Sequence, residues 1–269
     1  MPIPCTNSWS TSIARACRDR PLMSIEASNS PVRIVVSQPM YFPWVGILEQ
    51  IRLADIFVHY DDVQFARGFF NRVQIKTSNG TPWITVPTAG KSRDLRIDET
   101  RLDESADWRA QHRAVLAHSY AKAPFRDEML ALVDSVFAAP AETLADVGRA
   151  SVMALADYFG LAEGRRFLSS SELGIGGSGS RRLFDIVQAL GGAVYVTGHG
   201  ARRYLDHELF ERAGIAVEYM NYEKRTYPQL YGEFTPFVTS LDLVANCGRK
   251  GRDVIASGTV GWRDFEVDV

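Results

Sequence analysis

The chain has 269 residues, 46% of them hydrophobic, and a formal net charge of −2. This length supports a full hydrophobic core, in one large domain or in one domain with a small appendage. The near-neutral charge gives no electrostatic footprint for nucleic acid, and no apolar run approaches the roughly 20 residues that a membrane span needs. The three cysteines are too few and too scattered for a disulfide framework or a zinc site. We therefore expect a cytoplasmic protein.

The first 30 residues differ in composition from the rest of the chain. They mix Ser, Thr, Asn, Pro and Arg without periodicity and lack the apolar region of a secretory signal. We expect a disordered N-terminal tail over 1–30, with Met23 as an alternative start. A single domain is expected to follow over 31–269.

A strand, a helix and a second strand are predicted between residues 33 and 60. The β-branched run 33–36 predicts the first strand, and 55–60 has the composition of another. Between them, 44–54 carries apolar residues at helical spacing, with Gln50 and its polar neighbours on the opposite side. Such a unit places its two strands in parallel, joined by a right-handed crossover.

The rest of the chain extends this pattern. Two β-rich runs around Asn79-Gly80 predict a hairpin, and helical periodicity predominates from about 105 to 160. Further strands are predicted at 166–169, 193–196 and 215–219, in alternation with helices. The expected fold is α/β, with a largely parallel sheet, helices on both faces, an inserted β-hairpin and a helical segment.

Parallel strands bring their carboxyl ends to one edge of the sheet, where ligands of open α/β folds bind. Gln38 follows the first predicted strand, and Asp61 and Asp62 follow the second. His199 and Asn221 follow later strands on the same edge. We therefore expect a site in which an aspartate is the general base, its pKa raised by its neighbour, with Gln38 and His199 as further catalytic candidates.

Aromatic and basic side chains are expected beside these groups. The proline-broken loop after the first strand supplies Tyr41, Phe42 and Trp44, and it delivers a helix N-terminus that favours an anion. The polar face of the hairpin supplies Arg72 and Lys76 as anion clamps, and Asn71 precedes them. These features and the aspartate pair also have structural interpretations. An aromatic loop can plug a sheet edge, an Asp pair can cap a turn, and charged strand residues can face solvent.

The opening segments resemble the WbqC-like family of bacterial proteins. That family's pattern begins His-Gln-Pro-x-Tyr-Phe-Pro-Trp-x-Gly, and the chain matches it from Gln38 to Gly46. The next block is matched by Asp61-Asp62-Val63-Gln64-Phe65, and then by Asn71-Arg72 and Ile75-Lys76. Later blocks are similar at Thr197-Gly198-His199-Gly200, Tyr204-Leu205, Tyr227, Gln229, Phe234, Asp242, Asn246 and Gly248. The likeness extends from about residue 33 to 256.

The resemblance implies further site residues and an activity. Gln64, Tyr204, Gln229, Asp242 and Asn246 join the expected substrate-binding set. Family members lie beside genes for O-antigen and amino-sugar biosynthesis and are described as glycine or acyl transferases. Three positions depart from the family pattern: Ser37 replaces the leading His, and Phe70 and Val73 stand where polar amides are usual. These changes indicate an altered substrate pocket.

The expected function is thus N-acyl or aminoacyl transfer to an amino group of a small molecule. The acceptor would be a nucleotide-linked amino sugar or a natural-product intermediate. No resident cofactor or metal is expected, and the donor would be an acyl thioester, on an acyl carrier protein or coenzyme A, or a charged tRNA. Arg72 and Lys76 would hold a diphosphate or carboxylate.

Two other functions stay open. The strand, aromatic loop and helix suit a nucleotide-binding α/β fold, which allows nucleotidyl or adenylyl transfer, although the His-x-x-His signature of such enzymes is absent. A non-catalytic module that binds a sugar nucleotide or a carrier protein would keep the aromatic and basic residues but would not need Asp61 and Asp62.

Overall fold

The centre of the fold is a pair of parallel strands joined by one helix. β1 (Arg33–Ser37) and β2 (Ile56–His59) pair in parallel, with Ser37 opposite His59. α1 (Val45–Leu53) connects them and buries most of its length. The predicted strand, helix and strand are therefore confirmed, with their strands parallel.

The structure is a computed structural model that describes residues 30–66, 68–90 and 95–265. From Val32 onward, the described residues form one compact unit. The tail predicted over 1–30 lies outside the described residues, apart from Ser30.

A six-stranded sheet extends the central pair on both sides, in the order β5-β2-β1-β6-β7-β8. Its other strands are β5 (Arg166–Ser169), β6 (Val194–Thr197), β7 (Ala216–Asn221) and β8 (Gly258–Gly261). β6 and β7 continue the parallel arrangement, while β8 pairs with β7 in the antiparallel sense. The largely parallel sheet is confirmed, and β8 is an edge strand that the sequence pattern did not reveal.

Helices cover both faces of this sheet. The remaining helices are α2 (Trp108–Ser119), α3 (Arg126–Ala138), α4 (Leu144–Tyr158), α5 (Gly179–Ala189), α6 (His207–Arg212) and α7 (Ser240–Cys247). Alternate strand residues reach opposite layers, as period-two geometry requires. Val35 and Phe57 join the core with α1 and α4, whereas Ile34 and Ile56 join the core with α5 and α6.

The inserted hairpin is confirmed as a separate sheet. β3 (Arg72–Gln74) and β4 (Trp83–Thr85) pair in the antiparallel sense. Gly80 has a φ of 108°, which the turn requires and which a residue with a Cβ rarely adopts.

One expected surface of α1 is instead buried. Glu49 and Gln50, expected on the polar side of the helix, are only 1% and 7% exposed. Glu49 accepts a hydrogen bond from the backbone N–H of Ser257, at 3.2 Å, just before β8. The segment that leads into β8 covers this side of α1. The sequence did not predict this cover, because β8 lies beyond β7, the last predicted strand.

A buried polar network holds the loop between β7 and α7. The Lys76 ammonium is 3% exposed and donates to Gln229 Oε1 at 2.9 Å and to the carbonyl of Glu233 at 2.5 Å. Gln229 in turn accepts from the backbone N–H of Thr235 and donates to its carbonyl, both at 3.0 Å. These contacts fix the course of a loop that has no regular secondary structure.

Asp242, on the first turn of α7, is wholly buried beside this network. Neither of its carboxyl oxygens has a hydrogen bond of ordinary geometry among the described residues, yet the side chains of Tyr227, Tyr120 and Gln229 lie close enough to act on it. Burial raises the pKa of Asp242 to about 6, although the hydroxyl contacts and the charge of Lys76 oppose the rise. Tyr120 and Tyr227 each accept an N–H, which leaves their own hydroxyl protons free to point at Asp242.

Asp242→Asn should alter how stability depends on pH. The carboxyl has a pKa of 3.8 as its ordinary value and about 6 when folded, so its protonation favours folding. The contribution of this protonation to stability is complete below the ordinary pKa, and it is lost as the pH rises through the pKa of the folded protein. Relative to the wild type, the variant should gain about 1–2 kcal/mol of unfolding free energy between about pH 5 and pH 8.

Urea unfolding at the two pH values measures this difference. Asp253→Asn, at an exposed position, is the matched control and should show little pH-dependent difference. A change in unfolding free energy of the same size at both pH values would contradict the raised pKa of Asp242.

Candidate functional site

A cleft of about 1010 Å³ opens at the carboxyl edge of the sheet. The chain adds β2 and β5 on one side of β1, and β6 and β7 on the other. Ser37 at the end of β1 and Thr197 at the end of β6 both line the cleft. The cleft therefore lies where the strand order reverses, which is the usual ligand position in open α/β sheets.

His199 is the titratable side chain that the strand β6 delivers to this cleft. Its Nε2 lies 2.7 Å from the carbonyl oxygen of Met220, at the end of the neighbouring strand β7. A carbonyl can only accept a hydrogen bond, so Nε2 carries the proton and Nδ1 keeps its lone pair. The ring of Phe265 packs edge-on, at 4.7 Å between centroids. These two contacts orient the imidazole and leave one basic nitrogen without a partner in the described chain.

Neutral amides supply much of the polar lining. Gln38 follows β1, Gln50 projects from α1, and Asn221 ends β7. None of the three side chains has a hydrogen-bond partner among the described residues. Free amides in a cleft can donate to an oxygen that becomes negative during a reaction, or bind the polar groups of a ligand.

One end of the cleft has an aromatic wall. Trp44 packs edge-on against Tyr222, at 4.9 Å between ring centroids, and in a tilted arrangement against Phe237, at 5.8 Å. The indole lies directly over Gly46, where a Cβ would meet it at 2.2 Å, so only glycine permits this placement. Lys224 lies 5.7 Å from the centre of the Phe237 ring. This wall suits a flat or apolar ligand face.

The other end is lined by Tyr60 and Tyr204. Tyr60 follows β2, and the Arg182 guanidinium lies 5.0 Å from its ring centre. Tyr204 is 60% exposed and has no side-chain hydrogen bond among the described residues. Burial raises the pKa of both phenols, so they remain hydroxyl donors. The formally charged residues in the described lining are Lys224 and Asp264, which leaves the cleft nearly neutral.

Asp61 does not line the cleft. It is wholly buried, ion-paired with Arg149 of α4, and accepts from the backbone N–H of Ser171 at 3.1 Å. The hydroxyls of Ser170 and Ser171 each approach its carboxylate at 3.2 Å. Through these contacts Asp61, which follows β2, is connected to α4 and to the turn that follows β5. Such an arrangement is structural. The predicted role of Asp61 as a base remains a prediction.

Asp62 also lies outside the cleft lining, and its pKa shifts opposite to the expected direction. Burial alone would raise the pKa of Asp62, but hydrogen bonds from Arg182 and Ser170, both at 2.5 Å, hold it below its ordinary value. The expected pair of neighbouring carboxylates with one raised pKa is therefore wrong for Asp62. Arginine partners, rather than the second aspartate, dominate its surroundings.

The expected anion clamps do not reach the cleft either. Arg72 is exposed on the hairpin, where its guanidinium lies 4.6 Å from the Trp83 ring centre. Lys76 is bound within the buried loop network. Asn71 donates to the carbonyl of Val86 at 3.2 Å, and Gln64 is outside the lining.

The remaining predicted binding residues divide between the cleft and the core. Trp44 and Tyr204 line the cleft. Tyr41 is wholly buried and its hydroxyl lies 2.9 Å from His112 Nδ1, while Phe42 is buried at a φ of 34°. Gln229, Asp242 and Asn246 belong to the buried region around α7, where Asn246 donates to the carbonyl of Asp242 at 2.8 Å.

Several lining residues were absent from the predicted set. They are Gln50, Tyr60, Asn221, Tyr222, Lys224, Phe237, Asp264 and Phe265. Asn221 follows a predicted strand on the correct edge, which was the available signal. Gln50 lies on α1 and Tyr60 follows β2, both in predicted elements, whereas the other five depend on β8 or on irregular loops, for which the sequence gives no periodicity. Among the described residues, no cluster of three or more His, Cys, Asp or Glu side chains is placed to hold a metal ion. The helices of the described chain also include none with the length and apolar character of a membrane span.

Comparisons with known proteins agree with the motifs. The uncharacterized protein Rv1507c of Mycobacterium tuberculosis (strain ATCC 25618 / H37Rv) is 33% identical over 227 residues, which cover 83% of this chain and 97% of that protein. No solved structure matches the chain significantly. The WbqC-like protein family matches residues 38–254. The chain therefore belongs to the WbqC-like protein family.

Proposed function

We propose that the protein transfers an acyl or aminoacyl group to the amino group of a small molecule, with His199 as the base. The observation that carries this proposal is the orientation of His199, a cleft-lining residue whose neutral ring donates from Nε2 to Met220 and leaves Nδ1 without a hydrogen-bond partner among the described residues. A correctly oriented neutral imidazole is suited to remove a proton from an attacking amine. The acceptor would be a nucleotide-linked amino sugar or a natural-product intermediate.

The reaction balances with groups present in the cleft. The acceptor amine attacks the donor carbonyl carbon, and its proton passes to His199 Nδ1 as the carbon–nitrogen bond forms. Gln38 is available to donate to the carbonyl oxygen as it becomes negative. His199 then returns the proton to the departing thiol or alcohol, and an amide is left on the acceptor.

This proposal moves the base from the aspartates to His199. Asp61 and Asp62 are engaged by Arg149 and Arg182 and lie outside the cleft lining. Adenylyl transfer has less support, because phosphoryl chemistry draws on several cations and the described lining offers the single ammonium of Lys224. A sugar-binding module without catalysis would need the amides and aromatic wall but not an oriented His199.

The direct test incubates the purified protein with nucleotide-linked amino sugars and acyl thioesters and follows the mass of the acceptor. Gain of the acyl mass on the amine supports the proposal. Pyrophosphate release from ATP would favour adenylyl transfer instead. Binding of an amino sugar without turnover of any thioester would favour the binding module.

His199→Gln should lower the transfer rate by about 10²–10³-fold, because the amide can still donate to Met220 but cannot act as a base. The same mass assay measures the rate, and thermal unfolding checks the fold. His118→Gln, on an exposed turn of α2, is the matched control and should keep the wild-type rate. An unchanged rate in His199→Gln would rule out His199 as the base.

Asp61→Asn separates the two candidate bases. Loss of the buried ion pair with Arg149 should lower the unfolding free energy by about 2–3 kcal/mol, since one charge remains without its partner. The folded variant should still transfer at a rate close to the wild type. Asp98→Asn breaks a surface pair with Arg96 and should cost only about 0.5 kcal/mol. A folded Asp61→Asn protein with full stability and no activity would return the base to Asp61.

A further inference from the structure

Gln50 is a buried polar side chain that the fold leaves without a partner. It is only 7% exposed, it lines the cleft, and its amide makes no hydrogen bond within the described residues. Its amide atoms are not among the fully buried unpartnered atoms of the described chain, so the small exposed part of the side chain includes the amide, which is open to a water or a ligand in the cleft. Its position in the cleft favours a ligand.

The backbone opposite Gln50 leaves room for this amide. A Cβ on Gly198 would lie 2.9 Å from Gln50 Nε2, which is too close for both to keep their positions. The φ of Gly198 is −87°, a conformation that any residue can adopt, so its backbone does not require glycine. The absence of a side chain at Gly198 therefore leaves the space that the Gln50 amide occupies. At Gly200, by contrast, a Cβ would meet nothing within 4 Å.

The neighbourhood of Gln50 defines the chemistry of the ligand. Gln38 and Asn221 add two further unpaired amides to the same cleft. An amide presents a donor and an acceptor side by side, and a hydroxyl group can satisfy both. The nearly neutral lining favours the uncharged sugar ring of an acceptor over its charged groups, and the indole of Trp44 offers that ring an apolar surface.

We propose that Gln50, together with Asn221, binds the hydroxyl groups of a polyhydroxylated ring whose apolar face lies towards Trp44. Gln50 is then the residue that selects a hydroxylated acceptor over an apolar amine. This inference rests on one part of the proposed function, namely that the acceptor binds in the cleft. It specifies the acceptor as a sugar-like ring rather than an aliphatic or aromatic amine.

The first measurement compares glucosamine and galactosamine with cyclohexylamine, which has the ring and the amine but no hydroxyls. Titration calorimetry at millimolar concentrations reports their Kd values. At least one amino sugar should bind more tightly than cyclohexylamine, by about tenfold, as expected when hydroxyl contacts are lost. Equal affinities, or no binding of either amino sugar, would overturn the proposal.

Gln50→Met tests the amide itself at nearly constant length and flexibility. Amino-sugar affinity should fall about tenfold, and the melting temperature should stay level or rise, because an unpartnered buried amide is removed. A purely structural role for Gln50 predicts the opposite, a clear loss of stability with unchanged affinity. Gln111→Met, at an exposed position on α2, is the control and should change neither quantity.

Gly198→Ala tests the space around the amide without removing it. The new methyl group should displace the flexible end of Gln50 and weaken amino-sugar binding, with the fold retained. Gly200→Ala adds the same methyl group to open space two residues later and should bind like the wild type. Equal affinities in the two variants would contradict the proposed role of Gln50.

These binding measurements are independent of catalysis. If no thioester is turned over but the Gln50→Met and Gly198→Ala variants lose affinity, the proposed transferase fails and the sugar-binding site stands. If transfer depends on His199 but cyclohexylamine binds as well as the amino sugars, the transferase stands and the role of Gln50 fails.

Discussion

The parallel pairing of β1 with strands on both of its sides is the constraint on which the rest of the structure depends. β2 lies against one edge of β1 and β6 against the other, although nearly 140 residues separate these two partners in the chain. Loop closure over that distance is an entropic cost that the two hydrophobic layers must offset. The reversal of strand order leaves a gap at the carboxyl edge that helices do not fill. That gap is the cleft.

Charge is distributed so that the cleft stays nearly neutral. The carboxylates nearest to the strand ends, Asp61 and Asp62, are each engaged by an arginine from a helix. Lys76 is likewise committed to a loop rather than to solvent. What remains at the edge is a set of amides, hydroxyls and aromatic rings around one histidine. Such a lining suits polar neutral groups that form directed hydrogen bonds, and in the proposed reaction His199 is the group that transfers the proton.

The sequence predicted the parts of the fold that depend on local periodicity. The helical periodicity from about 105 to 160 corresponds to α2, α3 and α4, and the hairpin turns at Asn79-Gly80 as expected. β8 could not be predicted, because two of its four residues are glycine and its stability comes from pairing with β7. The edge that holds the site was predictable because parallel strands end together.

Individual side chains at that edge were harder to assign. A polar residue after a strand can face the cleft, as His199 does, or turn into the protein, as Asp61 does. The outcome depends on partners far along the chain, since Arg149 is 88 residues from Asp61 and Arg182 is 120 residues from Asp62. Gln50 illustrates the converse case, a residue on the polar side of a helix that distant segments enclose within the cleft. Local patterns hold no information about such partners.

A crystal structure of the protein with a bound amino sugar would test the central claim most directly. The account predicts that the ring lies between Trp44 and the amides of Gln50 and Asn221, with its amine within hydrogen-bond distance of His199 Nδ1. An amine bound instead at Asp61 or Asp62, with their arginine partners displaced, would contradict the account and restore an aspartate as the base.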